Sequence, residues 1–114
     1  MPPDRAPSRE YLTLLTAEDR LRVRFAHQQG APVEIMVQLE CLIDGRWYSA
    51  RRYDTHIALH IHSAPWDETQ NRRVPIVGIG LKEALDLAID DIKVNRDRYR
   101  DACVAGVRRM TDGS

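Results

Sequence analysis

The sequence predicts an α+β fold: an antiparallel β-meander of about four strands with a long C-terminal amphipathic helix packed on one face. Three observations carry this expectation. Between Leu21 and His62, apolar and polar side chains alternate in several runs at period two, the pattern of half-buried strands. Asp44-Gly45 lies between two such runs, and Asp-Gly is a strong signal for a two-residue hairpin because a type I′ turn needs positive φ. From Leu81 onward the apolar spacing changes to threes and fours, as a helix requires.

The elements follow in order. Residues 1–9 hold three prolines among polar residues and are expected to form a disordered tail, leaving 10–114 as a single domain. Tyr11 to Thr16 reads as a short strand or a helical turn, with the strand preferred, and Ala17 to Arg20 as a turn. Leu21, Val23 and Phe25 alternate with Arg22 and Arg24 in the next strand, which Gln29-Gly30-Ala31-Pro32 ends. Val33 to Ile43 is the longest strand, with Val33, Ile35, Val37, Leu39 and Cys41 on its apolar face. Arg46 to Tyr53 returns from the Asp-Gly turn. A second turn near Asp54-Thr55 leads into Thr55 to His62. Ser63 to Arg73 is a polar loop, and Pro75 places the extended segment after it at a sheet edge. The helix begins after Gly80 as N-cap, with Glu83 at the third position. Its stripe runs through Leu81, Leu85, Ala88, Ile89, Ile92, Tyr99, Cys103 and Val107, and Gly113 lies past its end. About 30 residues would span roughly 45 Å, more than a short-stranded sheet covers. The stripe also weakens at Asn95-Arg96, so a break, a kink or a second half that packs on a partner chain is expected.

Composition narrows the class. The chain has 114 residues, and a chain of this size buries roughly two-thirds of its unfolded surface. Seventeen basic residues balance seventeen acidic ones, so bulk charge favours neither nucleic acid nor membrane. Lys82 and Lys93 are the only lysines. The remaining basic residues are arginines, whose planar forks suit phosphate or carboxylate. No apolar run reaches the length of a membrane span, and the N-terminal segment has no apolar signal core; a cytoplasmic location without a membrane partner is expected. Cys41 and Cys103 stand alone and read as reduced, partly buried thiols.

The candidate site lies in Thr55 to His62. His56, His60 and His62 fall at even positions and Ile57, Leu59 and Ile61 at odd ones. On one strand this gives a histidine face and an apolar face. A two-residue turn at Asp44-Gly45 pairs Cys41 with Tyr48, Leu39 with Ala50 and Val37 with Arg52. Tyr48, Ala50 and Arg52 then share the apolar side, while Trp47, Ser49, Arg51 and Tyr53 share the polar one. A second two-residue turn would align Glu40, Ser49 and His60 in one row and Leu42, Trp47 and His62 in the next. An odd-numbered loop there would flip the histidines relative to Trp47.

Such a face fits metal-independent RNA cleavage. Histidines supply a base and an acid, and arginine stabilises the charged phosphorane. His56, His60, His62, Arg51 and Arg52 are the candidate catalytic residues. Trp47 and Tyr53 are candidates for base stacking, and Glu40 for orienting a histidine. No cofactor is required. The plainer alternative is a solvated sheet face that happens to hold histidines. A second chemistry is metal binding through His60 and His62, with Asp67 or Glu68 as a carboxylate ligand. Arg52, placed among apolar neighbours, needs a partner, and Asp54 is the nearest.

Trp47-Tyr48, Arg52-Tyr53-Asp54, His56 and His60 resemble the signature of a group of small bacterial proteins of uncharacterised activity. The stretch is distantly similar to the TumE-like toxins of toxin–antitoxin pairs. That resemblance implies a bacterial protein acting on RNA, with an antitoxin protein as partner. The competing class is a non-enzymatic interaction module. In either case a homodimer built on the second half of the helix is expected.

Overall fold

A computed structural model describes residues 8–56 and 58–112. The architecture is α+β. Its antiparallel sheet has six strands rather than about four, in the order β1-β2-β3-β4-β5-β6. The strands are β1 (Ser8–Leu14), β2 (Asp19–Gln28), β3 (Ala31–Ile43), β4 (Arg46–Asp54), β5 (His60–His62) and β6 (Arg73–Pro75). Two helices follow, α1 (Leu81–Val94) and α2 (Arg96–Asp112). Every strand pairs with its sequence neighbour, so the sheet is a pure meander.

The tail expectation ends too late, since Ser8 and Arg9 belong to β1; residues 1–7 lie outside the described part, as does Gly113. The first strand and β6 were the elements with the weakest alternation, which is why a count of about four fell short. β1 is exposed along its whole length and β6 contains Pro75, so neither carries a clean two-faced pattern. Pro75 does lie at the sheet edge, where its missing N–H is tolerated.

The Asp44-Gly45 turn forms as expected, with φ of 49° and 81°. Gln29-Gly30 repeats the device between β2 and β3, with φ of 53° and 78°. From the Asp44-Gly45 turn the register runs Ile43↔Arg46, Leu42↔Trp47, Cys41↔Tyr48 and Glu40↔Ser49. A β-bulge then intervenes, and Leu39 pairs with Arg51 instead of Ala50. Beyond it, Gln38 faces Arg52, Val37 faces Tyr53 and Met36 faces Asp54.

The helical stretch breaks at Asn95, whose φ of −104° and ψ of 16° leave the helix between α1 and α2. The break lets both helices lie on one sheet face. Ala88 and Ile92 of α1 and Tyr99, Cys103 and Val107 of α2 join Leu21, Val23, Val37, Leu39, Cys41, Ile43, Ala50 and Tyr53 in a single core. The premise for a dimer thus changes, because Tyr99, Cys103 and Val107 are covered within this chain. Asp91 pins the arrangement. It accepts hydrogen bonds from Tyr53 Oη (2.6 Å), Tyr99 Oη (2.7 Å) and Asn95 Nδ2 (2.8 Å), joining β4 to both helices. Arg100 of α2 likewise ties Asp19 (2.7 Å) and Glu18 (2.6 Å) at the start of β2.

Candidate metal centre

The functional side chains stand on the sheet face opposite the helices. β4 and β5 pair Asp54↔His60, Tyr53↔Ile61 and Arg52↔His62. β6 extends these rows, with Pro75 beside His60 and Arg73 beside His62. Two cross-strand rows result: Met36–Asp54–His60–Pro75 and Gln38–Arg52–His62–Arg73. Ile61 and Tyr53 turn the other way, toward the helices, and both pack in or against the core.

Three ligating groups converge there. His60 Nε2 lies 3.0 Å from Asp54 Oδ1, and His62 Nε2 lies 3.1 Å from Asp54 Oδ2. The two Nε2 atoms are 3.0 Å apart. The Asp54, His60 and His62 side chains are only 8%, 7% and 12% exposed, so water does little to relieve the crowding.

Each member is oriented from behind. His60 Nδ1 donates to the Ala58 carbonyl at 2.6 Å, which turns its Nε2 toward Asp54 and His62. Asn71 Nδ2 lies 2.8 Å from His62 Nδ1, and the Asn71 Oδ1 accepts from the Ala64 backbone N–H. Asp54 accepts from Arg52 Nε at 2.8 Å and from the His56 backbone N–H at 3.0 Å. Burial alone would raise the Asp54 carboxyl, but the Arg52 guanidinium and the His56 N–H hold it below the usual carboxylate range. Burial pushes the His62 imidazole below its ordinary value despite the Asp54 carboxylate beside it.

Protons alone satisfy these contacts poorly. With Asn71 donating to its Nδ1, His62 carries its proton on Nε2. If His60 is neutral, its Nε2 lone pair meets an ionised carboxylate oxygen at 3.0 Å. If His60 is charged, two N–H groups meet at 3.0 Å instead. A cation among the three groups would relieve both conflicts. With metal–ligand bonds of about 2.1 Å, neighbouring donors of an octahedral ion would stand about 3.0 Å apart and those of a tetrahedral ion about 3.4 Å. The two Nε2 atoms stand 3.0 Å apart and each approaches one oxygen of the same carboxylate, so the three groups could share an octahedral ion and would leave its other positions for further ligands. An ion held by His62 Nε2 would leave the imidazole proton on Nδ1, and the Asn71 amide would present its oxygen to that proton by a half-turn that gives up the Ala64 N–H bond.

The loop over the site is structured. Trp66 packs against α2 at Gly106, where a Cβ would overlap the indole. Asp67 caps its own turn through Thr69 (2.9 Å from the backbone N, 2.7 Å from Oγ1), and Asn71 N closes back on the Asp67 carbonyl. Asp67 is thereby committed, and neither it nor the exposed Glu68 belongs to the converging group. The carboxylate is Asp54.

The structure sorts the other expected residues. His56 does not share a strand with His60 and His62; it sits in the 55–59 connection, exposed, beside the same cavity. Ile57 lies outside the described residues. Arg52 stands on the outer face with Asp54, not on the apolar one, because the bulge reverses the alternation after Ser49. The same reversal turns Arg51 and Tyr53 inward. Arg51 lies over the Tyr99 ring at 4.5 Å and 4.0 Å from Asp91, away from the histidines. Tyr53 is 3% exposed and bonded to Asp91, so it offers no stacking surface. Trp47 is covered by the Arg20 guanidinium at 3.9 Å. Glu40 orients no histidine; it is held by Arg20 (2.6 Å), Arg22 (2.8 Å) and Gln38 (2.6 Å). Asp54 as a ligand and Asn71 as its neighbour's support were the residues missed. The signal for Asp54 was its parity with Arg52 at the end of β4, directly before the histidine segment.

A domain of unknown function, DUF7718, matches residues 6–107 of the chain. No curated protein and no solved structure matches it.

Proposed function

The chain belongs to the DUF7718 family, and from its geometry we propose that it is a metal-binding protein whose centre is Asp54, His60 and His62. The observation that carries this is the mutual approach of one carboxylate and two Nε2 atoms to 3.0–3.1 Å with no protonation pattern that satisfies all three while Asp54 is ionised. Imidazole with carboxylate suits divalent transition ions such as zinc, nickel, cobalt or iron(II). Asp54, His60 and His62 hold the ion; Ala58, Asn71, Arg52 and the His56 N–H orient those ligands. A bound divalent ion would supply Lewis acidity at a site that opens into a polar cavity.

RNA cleavage by free histidines draws less support from this arrangement. A base must reach the proton it removes, and His60 is 5% exposed with both ring nitrogens engaged. If RNA is a substrate, the metal reading makes its turnover sensitive to chelators.

Calorimetric titration of metal-stripped protein with zinc, cobalt or nickel tests the proposal. One equivalent should bind with a stabilisation of about 2.7 kcal/mol at a free-ion concentration one hundred times Kd. His60→Ala, His62→Ala or Asp54→Ala should each abolish specific uptake. Wild-type protein that takes up no equivalent of any of these ions, or three variants that bind as it does, would refute the assignment.

A further inference from the structure

Resting on the metal reading, we infer that the cavity beside the centre binds a phosphate monoester dianion, held between the metal ion and the Arg52–Arg73 pair. The cavity has a volume of about 260 Å³ and includes Gln38, Ser49, Arg52, His56, His62 and Arg73 in its wall. Asp54 is its one acidic lining residue, already engaged by Arg52 and the two histidines.

The arginines are placed for an oxyanion. Arg52 and Arg73 flank His62 in one cross-strand row, one from β4 and one from β6. Arg52 is fixed by Asp54 through Nε and by Gln38 through Nη1 at 3.3 Å, and its Nη2 makes no hydrogen bond among the described residues. The Arg73 guanidinium makes no hydrogen bond or ion pair among the described residues. Arg73 is exposed at the rim of the cavity, and with the free Nη2 of Arg52 it offers guanidinium N–H groups to a ligand of opposite charge. Guanidinium forks match phosphate oxygens in geometry as well as charge.

Charge selects the monoester over the diester. A divalent ion and two guanidinium groups face a single carboxylate, so the site carries a surplus that a dianion neutralises better than a monoanion. Pro65 and Asn71 of the loop line one side of the cavity.

The test uses full-length protein loaded with manganese(II), after metal stoichiometry has been measured separately. Inorganic phosphate is titrated and its phosphorus-31 relaxation followed, since a phosphate bound next to the paramagnetic ion relaxes faster. Saturable relaxation enhancement is expected. Arg73→Ala should weaken phosphate binding about ten- to a hundredfold with metal affinity unchanged, and Arg73→Lys should recover part of the loss. A nucleoside monophosphate should compete at least tenfold better than a single-stranded RNA oligomer lacking terminal phosphates. Metal uptake with no phosphate relaxation effect, or an Arg73→Ala protein that binds phosphate as wild type does, would overturn the phosphate assignment and leave the metal centre standing. An oligomer that competes equally well would overturn the monoester in favour of a nucleic-acid diester. Absence of metal uptake would overturn both.

Discussion

Asp54 and His60 are directly paired across β4 and β5, and their side chains meet at 3.0 Å. The backbone ladder that fixes the two strands therefore fixes the carboxylate against the imidazole. His62, two residues on, joins them because strand side chains repeat on one face with period two. The three ligating residues stand on strands, while Ala58 and His56 of the 55–59 connection and Asn71 of the following loop hold them by hydrogen bonds.

That dependence on the loop gives a first prediction. Asn71→Ala should weaken metal binding about ten- to a hundredfold, the usual effect of removing an orienting partner of a ligand histidine. Asn71→Asp should bind at least as tightly as wild type, because a carboxylate accepts the Nδ1 proton without turning. Calorimetry on both variants checks this. An Asn71→Ala protein with unchanged affinity would show that the loop does not orient His62.

Gly106 supplies a second. A methyl at this position would overlap the Trp66 ring, so Gly106→Ala should destabilise the fold by about 1–3 kcal/mol in denaturant unfolding. The same substitution made in a Trp66→Ala background should be close to neutral, since the overlap is gone. Equal effects in both backgrounds would contradict the packing described.

Acid stability should depend on Asp91. Burial would raise its carboxyl, yet the hydroxyls of Tyr53 and Tyr99 and the Asn95 amide hold it below the ordinary value of about 3.9. A carboxylate with a depressed folded-state pKa stabilises the fold above its unfolded-state value, and that stabilisation is lost as pH falls through the folded-state value. Wild-type stability should thus decline below about pH 4. Asp91→Asn should be less stable by about 1–3 kcal/mol at neutral pH. It should also lose less on acidification. Parallel pH profiles for the two proteins would contradict this role.

The cysteines should be inert in the folded protein. Cys41 and Cys103 are both fully buried. Burial pushes the Cys103 thiol up to about 12 and raises the Cys41 thiol further. Thiolate is the reactive form, so an aromatic disulfide reagent at pH 8 should label neither residue until the protein is unfolded. Fast labelling of one equivalent under native conditions would place one thiol at the surface.

Much of the sheet was legible because hairpin chemistry is local. Asp44-Gly45 set the β3–β4 register correctly as far as Glu40↔Ser49. The bulge beyond that point leaves no mark in the alternation, since Ala50 and Arg51 both face the core. It inverted the expected faces of Arg51, Arg52 and Tyr53. The β4–β5 connection added a second inversion, for it spans residues 55–59 rather than two residues. The two shifts of parity cancel. His60 and His62 therefore share a face with Trp47 as expected, but lie opposite Asp54 and Arg52 instead of Ser49 and Trp47. The break at Asn95 was legible from the weakening of the stripe, whereas the closing of α2 onto the same core depended on long-range contacts such as Arg100 with Asp19.

The most direct measurement is anomalous diffraction from crystals grown with zinc or cobalt, recorded on both sides of the metal absorption edge. One peak is expected about 2.0–2.2 Å from His60 Nε2, His62 Nε2 and an Asp54 carboxylate oxygen, with the Asn71 oxygen turned to His62 Nδ1. Metal-loaded crystals with no peak at this position, or with the three side chains unchanged and the ion bound elsewhere, would contradict it.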